Sequence, residues 1–299
     1  MRAQRREIIL LLVLAVAAAL LWLHIWRGTQ QALVVTFLDV GQGDAILIRA
    51  PSGRSVLIDG GGRAGASAGA SHMGTRILLP ALLASGVRRL DAVVLTHAHD
   101  DHVGGLPDVL EQVPVGMILE PQMEYPTAAY RNFTQTAEKE RIPVKRAMAG
   151  QALNLGGGAV AHVLHPGPQR LVGTSDDLNN NSVVIRLTYG RISFLLPGDL
   201  DAEGEEFLLA HTGDLASTVL KVPHHGSDAG TTMTFLRAVK PAVAVISVGR
   251  GNPFDLPDPD TLERLKAAGA RILRTDLDGA VTITTNGRTL RTSTHLTRR

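Results

Sequence analysis

Thr96-His97-Ala98-His99-Asp100-Asp101-His102 places four metal-ligand side chains within six residues, directly after an apolar run of four residues. The apolar run predicts a buried strand, so the ligands lie on the loop that leaves its end. His97 and His99 alternate as on an extended chain and can point the same way. Asp101 and His102 come where the chain turns and can face a second point nearby. The spacing therefore favours two cations side by side over a single cation.

Two further motifs have the same form, in which a strand is followed by a turn and then by a ligand type. Leu195-Leu196-Pro197-Gly198-Asp199 ends in an acid, and Val222-Pro223-His224-His225-Gly226-Ser227 carries paired histidines. Taken alone, Asp199 is typical of a helix N-cap, and the paired histidines could cap the helix that follows them. Taken with the first motif, they favour a ring of ligands at strand ends, where α/β proteins place their active sites.

Composition limits the chemistry of such a site. The chain has 299 residues and no cysteine, which excludes thiolate ligands and disulfides and leaves nitrogen and oxygen to hold a metal. The net charge is +2, but residues 1–27 carry four arginines against one glutamate, so the remainder holds 26 basic and 27 acidic residues. A nearly neutral domain offers no electrostatic argument for binding nucleic acid.

The N-terminal segment predicts attachment to a membrane. Residues 8–26 contain one polar side chain, His24, and as a helix they would span about 28 Å. The arginines before them favour a cytoplasmic N-terminus at 1–7, a transmembrane anchor at 8–26 and a linker at 27–31, as in a single-pass protein of the bacterial cytoplasmic membrane. A cleaved signal peptide is the alternative, since Ala17-Ala18-Ala19 supplies small residues. In both cases the domain lies outside the cytoplasm.

The rest of the chain predicts one α/β domain over 32–293, followed by a basic tail at 294–299. Strand candidates at 32–38, 45–48 and 56–58 come first, and strands mixed with helices then follow twice over. Such an order predicts two sheets with helices on the outside.

With these motifs the sequence resembles the metallo-β-lactamase superfamily, and more closely the metallo-β-lactamase-like domain of ComEC-type competence proteins. The similarity covers roughly residues 32–293. Besides the motifs already quoted, it is carried by Phe37-Leu38-Asp39-Val40-Gly41-Gln42-Gly43-Asp44-Ala45, Leu57-Ile58-Asp59-Gly60-Gly61, Asn179-Asn180-Asn181-Ser182 and Thr275-Asp276-Leu277-Asp278-Gly279-Ala280. The resemblance implies an αββα sandwich with the site at one edge between the sheets. It also implies hydrolysis and, for the competence branch, a nuclease acting on incoming DNA.

The resemblance also implies roles for individual residues. His97 and His99 match ligands of a first metal, Asp101 and His102 match ligands of a second, and Asp199 matches the carboxylate that bridges both. The remaining matches are His225 as the last ligand of the second metal, His224 beside it, and Asp59 as a buried acid that supports the ligand loop.

One part of the superfamily pattern is missing. A further first-site histidine usually comes shortly before the strand at Val183–Leu187, where this chain has Asp176-Asp177-Leu178-Asn179-Asn180-Asn181-Ser182. Asp177 or an asparagine could ligate instead, or the first site could be weak. A site richer in oxygen shifts the preference from Zn²⁺ towards Mn²⁺.

The sequence thus predicts a membrane-anchored hydrolase of phosphodiester bonds with two divalent ions, Zn²⁺ or Mn²⁺, acting on DNA during uptake. Asp101 and Asp199 are the predicted catalytic carboxylates, His224 or water would protonate the leaving oxygen, and Asn180 and Ser227 would contact the phosphate. A separate competence channel protein is an expected partner. The alternatives are hydrolysis of another ester or a lactam, or a non-catalytic membrane-tethered module of DNA uptake, which the full set of ligands disfavours.

Overall fold

The structure is a computed structural model that describes residues 2–29, 32–62, 73–123 and 125–296. Most of the Gly- and Ala-rich loop expected over 60–74 falls outside these ranges, as do the last three residues of the predicted basic tail.

The first sheet contains the N-terminal strands and the C-terminal hairpin. Its eight strands, in spatial order, are β15 (Leu290–Thr294), β14 (Val281–Thr285), β1 (Leu33–Phe37), β2 (Ile46–Arg49), β3 (Ser55–Ile58), β4 (Ala92–Val94), β5 (Ile118–Glu120) and β6 (Val144–Arg146). The strands from β15 to β3 pair antiparallel, and those from β3 to β6 pair parallel.

The second sheet repeats this arrangement in the other half of the chain. Its seven strands, in spatial order, are β13 (Arg271–Arg274), β12 (Val243–Ile246), β11 (Val219–Lys221), β10 (Ile192–Leu196), β9 (Val184–Tyr189), β8 (Ala159–His165) and β7 (Ala152–Gly156). The strands from β13 to β10 are parallel, and those from β10 to β7 are antiparallel.

Helices connect the parallel strands. The described residues form α1 (Arg2–Thr29), α2 (Leu79–Ala84), α3 (Asp100–Val103), α4 (Leu106–Gln112), α5 (Ala128–Lys139), α6 (Ala202–His211), α7 (Met233–Val239), α8 (Pro259–Ala267) and α9 (Thr275–Asp278). Capping residues mark several of their starts: the Thr127 side chain accepts the Tyr130 N–H before α5, and the Thr232 side chain accepts the Phe235 N–H before α7.

The two sheets pack face to face and carry helices on their outer faces. Adjacent residues of one strand point to opposite faces, and Val94 belongs to the core between the sheets whereas Val93 packs against the helices. Phe194 and Leu195 divide in the same way in the second sheet. Each sheet is therefore buried on both faces, and the order of layers is helix, sheet, sheet, helix. The expected α/β architecture with two sheets is confirmed.

Some local features differ from the sequence-based expectation. A π-helical turn at Gly74–Leu78 precedes α2. The strands β6 and β7 were not predicted, because both are short edge strands with half or more of their residues exposed or partly exposed and little apolar patterning.

The helix α1 includes the residues for which we predict the membrane anchor, 8–26. Within the described parts of the chain, no helix combines the length and the apolar character needed to cross a membrane. The structure therefore lends no support to the predicted anchor.

Candidate metal centre

The predicted site residues follow the carboxyl ends of parallel strands in both sheets. Asp59 comes directly after β3, and the His-rich stretch follows β4 and runs into α3. Asp199 follows β10, and His225 follows β11 in a short 3₁₀ turn, Pro223–Gly226. Because parallel strands end at the same edge of their sheet, the packing of the two sheets brings these ends together. His102 Nε2 lies 3.1 Å from Asp199 Oδ2 and so joins the two halves of the chain.

Asp59 holds the ligand loop in place. Its carboxylate accepts the backbone N–H and the hydroxyl of Thr96, both at 2.7 Å, and Nδ1–H of His102 at 2.9 Å. With the Nδ1 proton held by Asp59, His102 presents Nε2 to Asp199. A carboxylate behind a histidine is the arrangement that orients metal-binding imidazoles, so the role predicted for Asp59 fits its contacts.

His225 is oriented in a similar way by the backbone. Its Nδ1–H donates to the Ser247 carbonyl at 2.9 Å, and its Nε2 lies 3.1 Å from Asp199 Oδ2 and 3.3 Å from Asp101 Oδ2. The preceding turn is strained, since His224 and His225 both have positive φ angles, 46° and 52°. Strain of this kind is typical of side chains that are aimed at a site.

His97 presents a buried nitrogen to the same point. The Thr96 hydroxyl gives its only proton to Asp59, so it can only accept from His97 Nδ1, which lies 3.1 Å away. His97 Nε2 then carries a lone pair and has no hydrogen-bond partner in the described part of the chain, although His97 is 1 % exposed. An orphaned buried nitrogen is costly unless a further group binds it.

The donor set fits a divalent cation. Four groups of three ligand atoms lie within 4.8 Å of one another, among them His97, His102 and Asp199, and Asp101, His102 and His225. The atoms are imidazole nitrogens and carboxylate oxygens, which suit Zn²⁺ and Mn²⁺.

The electrostatics of the site favour positive charge. Burial opposes the charged form of His225, but Asp199 and Asp101 outweigh it and raise its pKa to about 10. Burial is likewise outweighed at His102, where Asp199, Asp59 and Asp101 raise the pKa well above its usual value. For Asp199, His225, Lys221 and His102 overcome burial and hold the pKa well below the usual range. Since the carboxylates hold protons on the histidines, a bound cation would displace those protons.

Two buried residues of the site were not singled out from the sequence, Asp44 and Lys221. The Lys221 ammonium donates to Asp199 Oδ1 and to the Gly198 carbonyl, both at 2.9 Å, and pairs with Asp44. Both side chains are almost fully buried, at 0 % and 1 % exposure for Lys221 and Asp44. Asp44 lies inside a motif that carries the family resemblance, and Lys221 directly precedes the paired-histidine motif. A lysine in an otherwise apolar strand is a signal that could have identified Lys221.

Glycine allows the Asp44 loop to reach the site. A Cβ on Gly43, whose φ is +125°, would lie 2.2 Å from the Asp101 carbonyl oxygen. The Asp44 N–H donates to that same carbonyl at 3.3 Å. A residue with a side chain at this position would therefore separate the Asp44 loop from the ligand helix α3.

The remaining predicted site residues lie at the periphery or inside the fold. His224 is about one third exposed, and its Nδ1 lies 2.8 Å from Asp201 Oδ1. Ser227 caps the turn after the paired histidines and accepts the Ala229 N–H at 3.2 Å. Asn180 is fully buried, and its Oδ1 accepts the N–H groups of Asp201 and Gly204. The structure thus places Asn180 in support of α6, away from the phosphate contact that the sequence predicted.

Comparison with known proteins follows this geometry. The model of the metallo-beta-lactamase superfamily matches residues 38–250. The chain belongs to this superfamily. Among solved structures, Igni18, a metallo hydrolase from the archaeon Ignicoccus hospitalis, superposes with a TM-score of 0.52 at 17 % identity and covers 83 % of this chain and 98 % of that chain. At that identity the superposition shows the fold alone. The resemblance proposed from the sequence is confirmed, and the family and the ligand set together support a metal-dependent hydrolase.

The curated relatives of this superfamily member include competence proteins. ComE operon protein 3 of Bacillus subtilis (strain 168) is 33 % identical over 262 residues, which are 83 % of this chain and 32 % of that protein. Competence protein ComA of Neisseria gonorrhoeae is 35 % identical over 248 residues, which are 83 % of this chain and 31 % of that protein. The chain spans about a third of the length of these relatives.

Proposed function

We propose that the chain is a binuclear metal-dependent phosphodiesterase that cleaves DNA during uptake. Its fold and ligand set are those of a metal-dependent hydrolase, and its curated relatives include competence proteins of Bacillus subtilis and Neisseria gonorrhoeae. Competence involves imported DNA, whose bonds between nucleotides are phosphodiesters. The relatives therefore support this substrate class over other esters and over lactams.

The position of Asp199 carries the proposal. Its Oδ2 lies 3.1 Å from both His102 Nε2 and His225 Nε2, and His97 belongs to the same cluster. The Asp199 carboxylate thus lies beside two ligands of the proposed second metal and, in the cluster with His97, beside a ligand of the first, which supports a bridge between two cations. Two divalent ions at this place would supply an activated water at neutral pH and neutralise the charge of a phosphate.

The residues of this chain prepare the site for such a substrate. Lys221 fixes one oxygen of Asp199, so the other oxygen is free to face the ligands. The buried pair of Asp44 and Lys221 adds no net charge and leaves the ligand carboxylates to set the local potential. Because Lys221 and Asp44 are almost fully buried, this pair holds the Asp199 carboxylate in position before a substrate binds.

Three side chains of the site reach the surface. The side chains of His99, Asp101 and His224 are 24 %, 21 % and 31 % exposed, whereas His97, His102 and His225 are almost fully buried. A phosphodiester would therefore approach between the three exposed side chains.

His224 is positioned to assist the leaving group. Asp201 holds its Nδ1, so Nε2 is the nitrogen that a substrate can reach. We assign to Nε2–H a hydrogen bond to the leaving oxygen of the phosphodiester. The Asp201–His224 pair then orients the ring as Asp59 orients His102.

The test uses the full chain, stripped of metal with a chelator and reloaded with Mn²⁺ or Zn²⁺. Hydrolysis of bis-p-nitrophenyl phosphate measures phosphodiester chemistry, and DNA labelled at one end reports cleavage of the expected substrate. Asp101→Asn should lose activity on both substrates, whereas Asp214→Asn, at an exposed surface ion pair with Arg186, should not. If the reloaded protein cleaves neither substrate, or if Asp101→Asn cleaves them at the wild-type rate, the proposal is contradicted. Cleavage of a lactam or carboxylic ester in the absence of phosphodiester cleavage would replace it.

A further inference from the structure

The first cation position lacks the histidine that the wider superfamily supplies before the strand β9. His97 and His99 remain, with their ring centroids 4.8 Å apart. Asp199, from the other sheet, clusters with His97. Two histidines and a shared carboxylate leave the position short of a ligand, and the segment in the place of the missing histidine is Asp176–Ser182.

Most polar side chains of this segment are occupied by the fold. The Asp177 carboxylate accepts the N–H groups of Gly173 and Thr174 and the Thr174 hydroxyl. The Asn180 amide bonds the start of α6 and the Glu203 carboxylate. The Asn181 side-chain amide accepts the Leu171 N–H and donates to the Leu171 carbonyl. These contacts occupy Asp177, Asn180 and Asn181, three of the candidate ligands that the sequence left open.

Asp176 is directed towards the site instead. Its Oδ1 accepts the N–H groups of Leu178 and Asn179 at 2.9 and 3.0 Å, which fixes the carboxylate at the start of the 3₁₀ turn Asn179–Asn181. Its Oδ2 lies 3.7 Å from His99 Nε2. Two ligand atoms at this separation can both lie at the usual distance of about 2.1 Å from one cation.

We propose that Asp176 is the ligand that replaces the missing histidine, and that it makes the first position an oxygen-rich site with a raised preference for Mn²⁺ over Zn²⁺. The position would then hold two imidazoles, from His97 and His99, and two carboxylates, from Asp176 and Asp199. Carboxylate ligands suit Mn²⁺, whereas a third imidazole suits Zn²⁺. The inference rests on the binuclear centre of the proposed function and is independent of its substrate.

Metal binding by the full chain tests this directly. The metal-free protein is titrated with Mn²⁺, whose free concentration is followed by electron paramagnetic resonance, and with Zn²⁺ in competition with a chelating dye. The wild-type protein should bind two Mn²⁺ ions. Asp176→Asn should weaken the first-position ion by about 100-fold or more, because the loss of a direct ligand exceeds the 10- to 100-fold cost of losing a supporting residue.

Three further variants give the matched comparisons. Asp177→Asn changes the neighbouring carboxylate in the same way and should bind both ions like the wild type. Asp176→His restores a histidine and should retain two ions, with the ratio of Zn²⁺ to Mn²⁺ affinity raised by about tenfold. Asn179→Ala tests the one buried amide oxygen in the segment that has no hydrogen-bond partner among the described residues, and it should leave both affinities unchanged.

The outcomes separate this inference from the proposed function. Wild-type-like Mn²⁺ binding by Asp176→Asn, or loss of the first ion in Asn179→Ala alone, overturns the assignment of Asp176. Loss of one ion in Asp176→Asn with no phosphodiester cleavage by the wild type supports the assignment and overturns the proposed function. Binding of fewer than two ions by the wild type overturns both. Circular dichroism of the metal-free variants shows that each one is folded.

Discussion

The two proposed cation positions differ in how firmly the fold holds the side chains that would bind the ions. At the second position, His102 and His225 are buried, and an oxygen of Asp59 or of the Ser247 backbone holds the Nδ1 proton of each ring. At the first position, His99 is partly exposed and packs edge-on against Tyr125, and its nearest acid, Asp176, stands on an irregular segment at 3.7 Å.

The difference follows from where the ligands stand on the chain. In the second position, Asp101 and His102 lie on α3 and His225 lies in the turn after β11, so all three stand on regular turns that follow strands fixed by sheet hydrogen bonds. The first position takes one ligand, Asp176, from the irregular segment before β9, where the carboxylate accepts the N–H groups of its own turn, those of Leu178 and Asn179. We therefore expect the second position to bind its ion more tightly than the first, because its ligand side chains are already ordered before the ion binds.

Removal of the carboxylate that both positions share should have the largest effect. Asp199→Asn keeps the shape of the side chain but removes the charge that faces His102 and His225. We expect both ions to be lost and turnover of bis-p-nitrophenyl phosphate to fall by about a thousandfold or more, since a catalytic cation contributes several kcal/mol. Elemental analysis and steady-state kinetics measure the two effects. Retention of both ions would refute the bridging role.

Loss of the buried lysine should have the next largest effect, which is a lower free energy of unfolding. Lys221→Met leaves Asp44 and Asp199 close together without their shared cation, which should lower the free energy of unfolding of the metal-free protein by about 3 kcal/mol. Urea unfolding with a chelator present measures this change. Lys145→Met, on the exposed edge strand β6, is the control and should change stability by less than about 0.5 kcal/mol. Similar values for the two variants would show that Lys221 has no special role.

A substitution of Asp59, which lies behind His102, should weaken the binding of one ion more than that of the other. In Asp59→Asn the amide can donate to His102 Nδ1, which favours the tautomer with its proton on Nε2, the wrong atom for a ligand. The second ion should then bind about 10- to 100-fold more weakly, with less change at the first. Asp91→Asn alters a carboxylate that holds the opposite end of β3 through the Ser55 N–H, and it should leave both affinities unchanged. Equal weakening of both ions in Asp59→Asn would argue against separate positions.

The buried histidine His165, which lies outside the ligand set, should give a pH dependence of stability. Burial lowers the pKa of His165 to about 4, although its hydrogen bond to the Asn180 carbonyl opposes this and His211 adds to it. Between pH 6.5 and about 4 the unfolded chain binds a proton that the folded chain does not, so stability should fall as the pH falls through this window.

The loss between pH 7 and pH 5 should be about 2 kcal/mol for this group. His165→Gln keeps an N–H donor for the Asn180 carbonyl and does not titrate, so its unfolding free energy should change less over the same range. Measurements of urea unfolding at a series of pH values compare the two proteins. If the free energy of unfolding of the variant depends on pH as steeply as that of the wild type, His165 is not the source of this dependence.

The strand-end motifs predicted much of this structure correctly. Continuous apolar runs such as Ala92–Leu95 predicted buried strands, and the ligand types after them predicted that His97, His102, Asp199 and His225 would converge. These predictions succeed because a buried parallel strand has a strong local pattern, and its carboxyl end has a defined place in the fold. Edge strands such as β6 lack that pattern, so they were missed.

The sequence by itself determined the ligand chemistry, the two sheets and the strand ends that carry the site, because residue type and hydrophobic period are local properties. Only the tertiary structure decided that Lys221 lies between Asp44 and Asp199, since those residues are far apart along the chain. It also set which of the neighbours Asp176 and Asp177 faces His99. Adjacent carboxylates in a turn point in different directions, and the backbone N–H groups that each accepts set which one faces His99.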